Sequence, residues 1–267
     1  MVVGSVIHLL RDCASTNDVA RDLARRGARE GTAVIADEQT AGRGTKGRGW
    51  HSPPGQGLYV SVILRPPASD VSLLPLVAGI AVAEAILSST SLEVRLKWPN
   101  DIVWNGKKVG GILCESEFTG AEINCAILGI GLNIGQRRKD FPEEMRATAA
   151  SLRMALRRSV ERESLARSLF RALDSWYREF VSGARARILR AFESKLIFPV
   201  GKVITVRADR ESETGIFLGF DAGARLILEK SGKKSYFSPA EILEIGYNIQ
   251  ESGAGREAPR KENPACS

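Results

Sequence analysis

The sequence predicts an α+β fold: a mixed sheet covered by helices, followed by a small β-barrel. Three observations predict it. Strand-like runs and helical periodicities are interleaved up to about residue 195. After Phe198 the helical period disappears, and short strands recur with turns roughly every ten residues. The length of 267 residues amounts to somewhat under two domains of roughly 150. A hydrophobic share of 43% and a charged share of 26% fit an ordinary globular chain. The expected organisation is a larger domain over residues 1–195, the barrel over 196–248, and a disordered tail over 249–267 that lacks large apolar residues.

Each element has its own signal. Ser15-Thr16-Asn17 precedes a stretch in which Val19, Ala20, Leu23 and Ala24 share one helical face, and Gly27 stops the helix. Residues 32–37 and 58–64 read as strands; between them, six glycines in the sixteen residues 42–57 make a loop. Residues 71–87 read as a buried helix. Residues 94–101, 101–104, 108–117 and 123–134 read as short strands, with Asn105-Gly106 a strong hairpin signal between apolar runs. Leu165, Leu169, Leu173, Trp176 and Phe180 recur at helical spacing, and a second helix runs through Ile188 and Phe192 as a cover for the sheet. Residues 203–208, 215–221, 225–230 and 234–239 are the barrel strands.

The formal charge of +7 favours anionic partners without naming one, and residues 136–162 alone contribute +4. Leu152, Met154 and Leu156 alternate with these cations, which points to partial packing. Cys13, Cys114, Cys125 and Cys266 show no close pairing, and with only two histidines a structural zinc site is not expected. Scattered thiols and the lack of a basic signal-peptide start fit a reducing, cytoplasmic location. The apolar stretch 71–87 carries Ser72, Pro75 and Glu84 and reads as too short for a bilayer span.

Several segments could carry chemistry. Residues 41–50 alternate glycine with Arg43, Lys46 and Arg48, so backbone N–H groups can approach a phosphate or carboxylate that the cations neutralise. A flexible basic surface loop is the plain alternative. The loop matches neither a Walker A nor a dinucleotide fingerprint. Lys97-Trp98-Pro99-Asn100-Asp101 offers a cation, an aromatic plane, an amide and a carboxylate, suited to phosphate, base and Mg²⁺, or equally to an ordinary strand turn. Lys107 and Lys108 precede Gly110 and Gly111 in an apolar strand, where glycine allows a ligand close approach; alternation lets only one of the two lysines point in. Asn133 ends the glycine-bearing strand 129–133 and can meet a nucleobase edge or simply close a turn.

Taken in order, Ser15-Thr16-Asn17, the stretch from Gln39 to Gly44, Gly47 to Trp50, Lys97 to Asp101, Lys108 to Leu113 and Gly129 to Asn133 resemble the biotin protein ligases over about residues 8–247. The resemblance implies a class II synthetase-like catalytic fold of the biotin-lipoyl ligase type with a C-terminal SH3-like barrel. It implies a two-step reaction, in which biotin and ATP give biotinyl-5′-AMP and a lysine of a biotin carboxyl carrier protein then takes the biotinyl group. By the same resemblance, Ser15, Thr16, Asn17, Gln39, Gly42, Arg43, Gly44, Thr45, Lys108 and Gly111 hold biotin. Arg48, Trp50, Lys97, Asn100 and Asn133 hold the nucleotide. Lys108 is the main catalytic cation, beside Arg43 and Asp101, with Asp101 also the weak candidate for Mg²⁺. ATP with Mg²⁺ and biotin are the implied reactants, without a redox cofactor.

Two departures stand out. Thr45 occupies a position where the resemblance leads one to expect arginine, which predicts weaker retention of the adenylate. No helix-turn-helix precedes the matched region, so the form without a DNA-binding domain is expected, with no specific DNA partner and no membrane; a homodimer is left open. A lipoate or octanoate ligase or transferase is the nearest alternative, with Cys114 the nearest candidate thiol. A basic nucleic-acid-binding module is the alternative from another class.

Overall fold

The computed structural model describes residues 2–120, 122–208 and 211–247. The expected tail therefore lies outside the described residues. Strands β1 (Ile7–Cys13), β2 (Ala33–Gln39), β3 (Gly57–Leu64), β4 (Arg95–Lys97), β5 (Asp101–Trp104), β6 (Lys107–Thr119) and β7 (Glu122–Asn133) form one sheet in the order β1-β2-β3-β7-β6-β5-β4. Only the β1–β2 pair is parallel, so the sheet is mixed, as expected. Asn105 and Gly106, with φ of 44° and 72°, make the tight turn into β6. Strand β1 escaped the sequence reading because it is a sheet edge: Leu9 is 75% exposed, so no buried-face alternation marks it.

Helices cover both faces. On one, α1 (Thr16–Arg25) packs Ala20 and Ala24 against Val34, Ile63, Cys125 and Ile127. On the other, α2 (Leu74–Thr90) lies under α4 (Arg162–Val181) and α5 (Arg185–Ser194). An all-round apolar helix must be largely enclosed, and α2 is except near its C-terminal end, where Leu87 is exposed. Residues Val71–Thr90, with mean hydropathy 2.0, are long and apolar enough by length and composition to cross a membrane, contrary to the shorter stretch read from sequence; 67% of that window is buried in the protein. Leu165, Leu169, Leu173, Tyr177 and Phe180 form the buried stripe of α4 over it, and Trp176 Nε1 donates to Glu84 Oε2 of α2 at 2.8 Å. Truncating a stripe residue such as Leu169 to alanine costs about 2–5 kcal/mol. Between sheet and α4, residues 152–156 form the short helix α3 (Leu152–Leu156), capped by Ser151 Oγ, with Leu152 buried and Met154 and Leu156 packed partly against the core.

The C-terminal part is a five-stranded antiparallel sheet of β8 (Val203–Ala208), β9 (Ser212–Phe220), β10 (Leu226–Lys230), β11 (Lys233–Phe237) and β12 (Ile242–Tyr247), in the order β11-β10-β9-β8-β12. Where a small barrel is expected, the strands form one open sheet: β11 and β12 stand at opposite ends and do not pair among the described residues. Strand β12 was missed because only Ile242 and Ile245 of its six residues are buried, three apart rather than at period two. The sheet is not an isolated appendage. Its Phe220 lies 5.7 Å from both Trp98 and Phe192, and Phe217 lies 5.3 Å from Phe198, so one apolar core runs through both sheets.

Candidate functional site

A cavity of about 290 Å³ opens on the α1 face of the large sheet. Its origin is in the side-chain sizes along β7. Cys125 and Ile127 fill the space against α1, but two and four residues further on the same face carries Gly129 and Gly131. The helix therefore packs at one end of the strand and leaves a hollow at the other. The hollow is closed by the α1 N-terminus, by the glycine-rich loop and by Met145.

The wall formed by α1 is polar and nearly dry. Ser15, Thr16 and Asn17 are each 3% exposed. Ser15 holds the helix N-cap position without a side-chain capping bond, so the simple cap reading of this triplet does not apply. Thr16 donates from its backbone N and its hydroxyl to Gln39 Oε1 at 2.9 and 3.0 Å, while Gln39 Nε2 donates to Ser52 Oγ at 2.9 Å. Asn17 donates to Glu115 Oε2 at 2.6 Å and accepts from Ser61 Oγ at 2.5 Å. Any side chain at Gly129 would collide with the Asn17 amide, so the glycine is a steric requirement of this network.

Lys108 is the lysine that enters the cavity, for a reason that simple alternation misses. Counting back from Gly111 by twos gives Val109 and Lys107. The β5–β6 register shifts, however: Ile102 pairs with Gly110, while Val103 pairs with Lys108. This one-residue bulge sends Val109 into the main core and re-aims Lys108 onto the face of Gly111. Lys108 Nζ lies 2.5 Å from Asp101 Oδ1, a buried oxygen with no partner besides that ammonium, and 5.4 Å from the centre of the Trp50 ring.

Trp50 lies flat over the glycine floor. A Cβ at Gly131 would stand 2.5 Å from its Nε1, and one at Gly111 would stand 3.2 Å from its Cζ3. Gly111 thus forms part of the cavity floor, with an indole resting on it. Gly110 faces the other way, against Leu132 and Ile102. Trp50 Nε1 is buried and has no hydrogen-bond partner, a donor left waiting for an acceptor.

The loop residues divide. Arg43 lines the cavity, but its two terminal nitrogens grip Asp18 at 2.7 and 2.6 Å, with Glu115 3.7 Å away. Its partner in this state is therefore a protein carboxylate. The Arg43 guanidinium in turn holds the Asp18 carboxyl below the ordinary carboxylate range, its hydrogen bond outweighing burial. Gly44, Thr45 and Arg48 also line the cavity, and Arg48 donates to Thr45 Oγ1 at 3.1 Å. Lys46 points away, donating to the Ile242 carbonyl of the C-terminal sheet at 2.7 Å. Gly42 sits at the neck of the loop, where its carbonyl accepts from Trp50 N at 2.8 Å, outside the cavity wall.

A second hollow of about 600 Å³ adjoins the first, between the large sheet and the C-terminal sheet. Thr45, Arg48 and Asn100 line both, whereas Lys97 and Asp101 line only the second. Asn133, expected at the nucleotide, lies behind the cavity wall. It shares the face of Gly129 and Gly131, but the segment 149–151 covers it: its amide donates to the Ala150 carbonyl at 3.1 Å, it is 4% exposed, and it does not line the cavity. Among the described residues no group of three or more His, Cys, Asp or Glu gathers as a metal site, and Asp101 is already ion-paired. Met145, Asp18 and Glu115 are site residues that sequence reasoning missed.

Comparison with known proteins agrees with this geometry. The profile of the Biotin/lipoate A/B protein ligase family matches residues 10–133. The chain is 36% identical over 233 residues to the bifunctional ligase/repressor BirA of Bacillus subtilis, covering 86% of this chain and 71% of that protein. It is 32% identical to the biotin--[acetyl-CoA-carboxylase] ligase of Paracoccus denitrificans, covering 79% of this chain and 89% of that protein. Among solved structures, biotin protein ligase from Aquifex aeolicus in complex with biotin and ATP superposes with a TM-score of 0.78 at 28% identity, covering 91% of this chain and all of that one. With its glycine-floored cavity, its single inward lysine and these relatives, the chain belongs to the biotin protein ligase family of enzymes.

Proposed function

We propose that this chain biotinylates a specific lysine of a biotin carboxyl carrier protein in two steps, through biotinyl-5′-AMP. The observation that carries the reading is the cavity itself: buried polar groups at one end (Ser15, Thr16, Asn17, Gln39) and cations at the other (Lys108, Arg48), over a floor that only glycine permits. A small polar bicyclic head fits the first end, where two hydroxyls and two amides offer both donors and acceptors. A carboxylate and a phosphate must meet at the second.

In the first step, a biotin carboxylate oxygen attacks the α-phosphorus of ATP, and the bond to the bridging oxygen breaks to release pyrophosphate. The obstacle is the approach of two anions. Lys108, exchanging its Asp101 contact for the reacting oxygens, would stabilise charge that grows at the transition state. Arg48 is poised on the same side, and the unpartnered Trp50 Nε1 supports an acceptor-bearing nucleotide lying over Gly111 and Gly131. In the second step the acceptor amine attacks the acyl carbonyl and AMP leaves. Mg²⁺ would supply further charge neutralisation when bound with ATP. Asp101 is the one candidate carboxylate beside Lys108, and its existing ion pair argues against a metal cage made by protein alone.

The C-terminal sheet is read as SH3-like, supported by its order: a meander β8-β9-β10-β11 whose last strand, β12, returns beside the first. Unpaired Cys13, Cys114 and Cys125 support a cytoplasmic location. Incubating the protein with biotin, ATP and the apo carrier domain of an acetyl-CoA carboxylase tests the reading by mass spectrometry. One biotinyl amide on one lysine is expected; an unmodified carrier, or acylation at a residue other than lysine, refutes it.

A further inference from the structure

The basic segment 136–162 remains unexplained by the cavity. Part of its charge is engaged internally: Arg162 pairs with Asp37 at 2.6 Å, Arg146 donates to the Phe141 carbonyl at 3.0 Å, and Arg158 donates to the Thr90 carbonyl at 3.4 Å. Arg137, Lys139 and Arg153 instead converge on a shallow notch of about 400 Å³ with Gln56, Gly135 and Asp140, and no ion pair engages these three cations among the described residues. The Asp140 carboxylate shares the notch and accepts from the backbone N of Arg137 at 2.8 Å, but no ion pair joins it to these cations among the described residues. Gln56 Oε1 is buried there without a hydrogen-bond partner.

The notch flanks the mouth of the cavity. His51, next to Trp50, meets the Asp140 carbonyl through Nε2 at 3.1 Å, and Met145 of the same segment lines the cavity. From Gly131 on the cavity floor to Gly135 in the notch is four residues, about 13 Å of extended chain. A macromolecule that presents a side chain to Lys108 from this side would rest on the notch.

We propose that this notch is a docking surface for an acidic face of the acceptor protein; the inference rests on the function proposed above. One feature favours a protein over a nucleic acid: the cations form one compact cluster beside the cavity mouth rather than a stripe along a groove.

The test is the triple variant Arg137→Ala/Lys139→Ala/Arg153→Ala, assayed in the two half-reactions separately. Biotin-dependent ATP–pyrophosphate exchange is expected to be unchanged, which also certifies the fold. The KM for the apo carrier domain should rise about tenfold or more, as loss of charge steering predicts. Its salt dependence should flatten, and kcat at saturating carrier should hold. An unchanged KM for the carrier overturns the inference while leaving the function standing. So does a loss of pyrophosphate exchange, which would make the notch part of the nucleotide site, or a selective loss of duplex DNA binding. Failure of the unaltered protein to label any carrier lysine would overturn the function and the docking surface together.

Discussion

Replacing Lys108 by alanine separates two effects that the structure places on one side chain. The ammonium is the cation that the β6 bulge aims over the Gly111 floor, and its removal takes away charge stabilisation where carboxylate and phosphate meet. Losing one such donor costs roughly 100- to 1000-fold in rate, or about 2.7–4 kcal/mol of barrier. The same change strands Asp101, whose side chain is 25% exposed and whose Oδ1 has no other partner. An unpaired, largely buried acceptor costs about 1–3 kcal/mol of stability. Lys108→Ala should therefore lower both pyrophosphate exchange and the thermal midpoint. The double variant Lys108→Ala/Asp101→Asn should recover part of the midpoint and none of the exchange. Single-turnover exchange and calorimetry on both proteins read the two effects independently. Exchange unimpaired in Lys108→Ala, or restored in the double variant, would refute the assignment of Lys108 to the reaction.

Three more expectations concern neighbouring groups. Because Arg43 depresses the Asp18 carboxyl below its unfolded value of about 3.9, the pair's contribution is complete above that pH and is lost as pH falls through the folded value. Asp18→Asn should lower the denaturant midpoint at neutral pH and lose less on acidification, and parallel pH profiles for the two proteins would contradict this. Thr45→Arg should slow biotinyl-AMP dissociation by roughly 10- to 150-fold, since a charge-assisted contact is worth about 1.5–3 kcal/mol. Lys46, anchored on Ile242, offers no substitute; unchanged or faster release in stopped flow would show that position 45 does not face the ligand. Burial pushes the Cys114 thiol up to about 12, so Cys114→Ala should leave carrier labelling intact. Loss of labelling would favour the thiol-dependent transferase chemistry.

Much of this was legible in the chain. The 3.6-residue period of α4, the Asn105-Gly106 turn and the glycines at 111, 129 and 131 encode local geometry, and local geometry is what sequence patterns report. The misses are tertiary. The edge strand β1 has no fully buried residue, and of its apolar side chains only Leu10 packs partly on the α1 side. The hydrogen bond from the Asn133 amide to the Ala150 carbonyl, seventeen residues downstream, is likewise invisible to local pattern. Which of Lys107 and Lys108 turns inward depends on a bulge set by pairing with β5, and Arg43 finds its carboxylate partner on α1, across the fold. Residues 136–162 announced their charge in the sequence, but the division into engaged and unengaged cations required the structure.

The claim on which the rest depends is that the glycine-floored cavity activates biotin as its adenylate. The direct measurement is incubation with ATP, Mg²⁺ and biotin in the absence of any acceptor, quantifying biotinyl-AMP and pyrophosphate, with lipoate and octanoate in parallel. The account predicts biotinyl-AMP and pyrophosphate in equal amounts with biotin, and, above background, neither an acyl-adenylate nor pyrophosphate with lipoate or octanoate. Pyrophosphate release that ignores biotin, or adenylation of lipoate or octanoate in preference to it, would contradict the account.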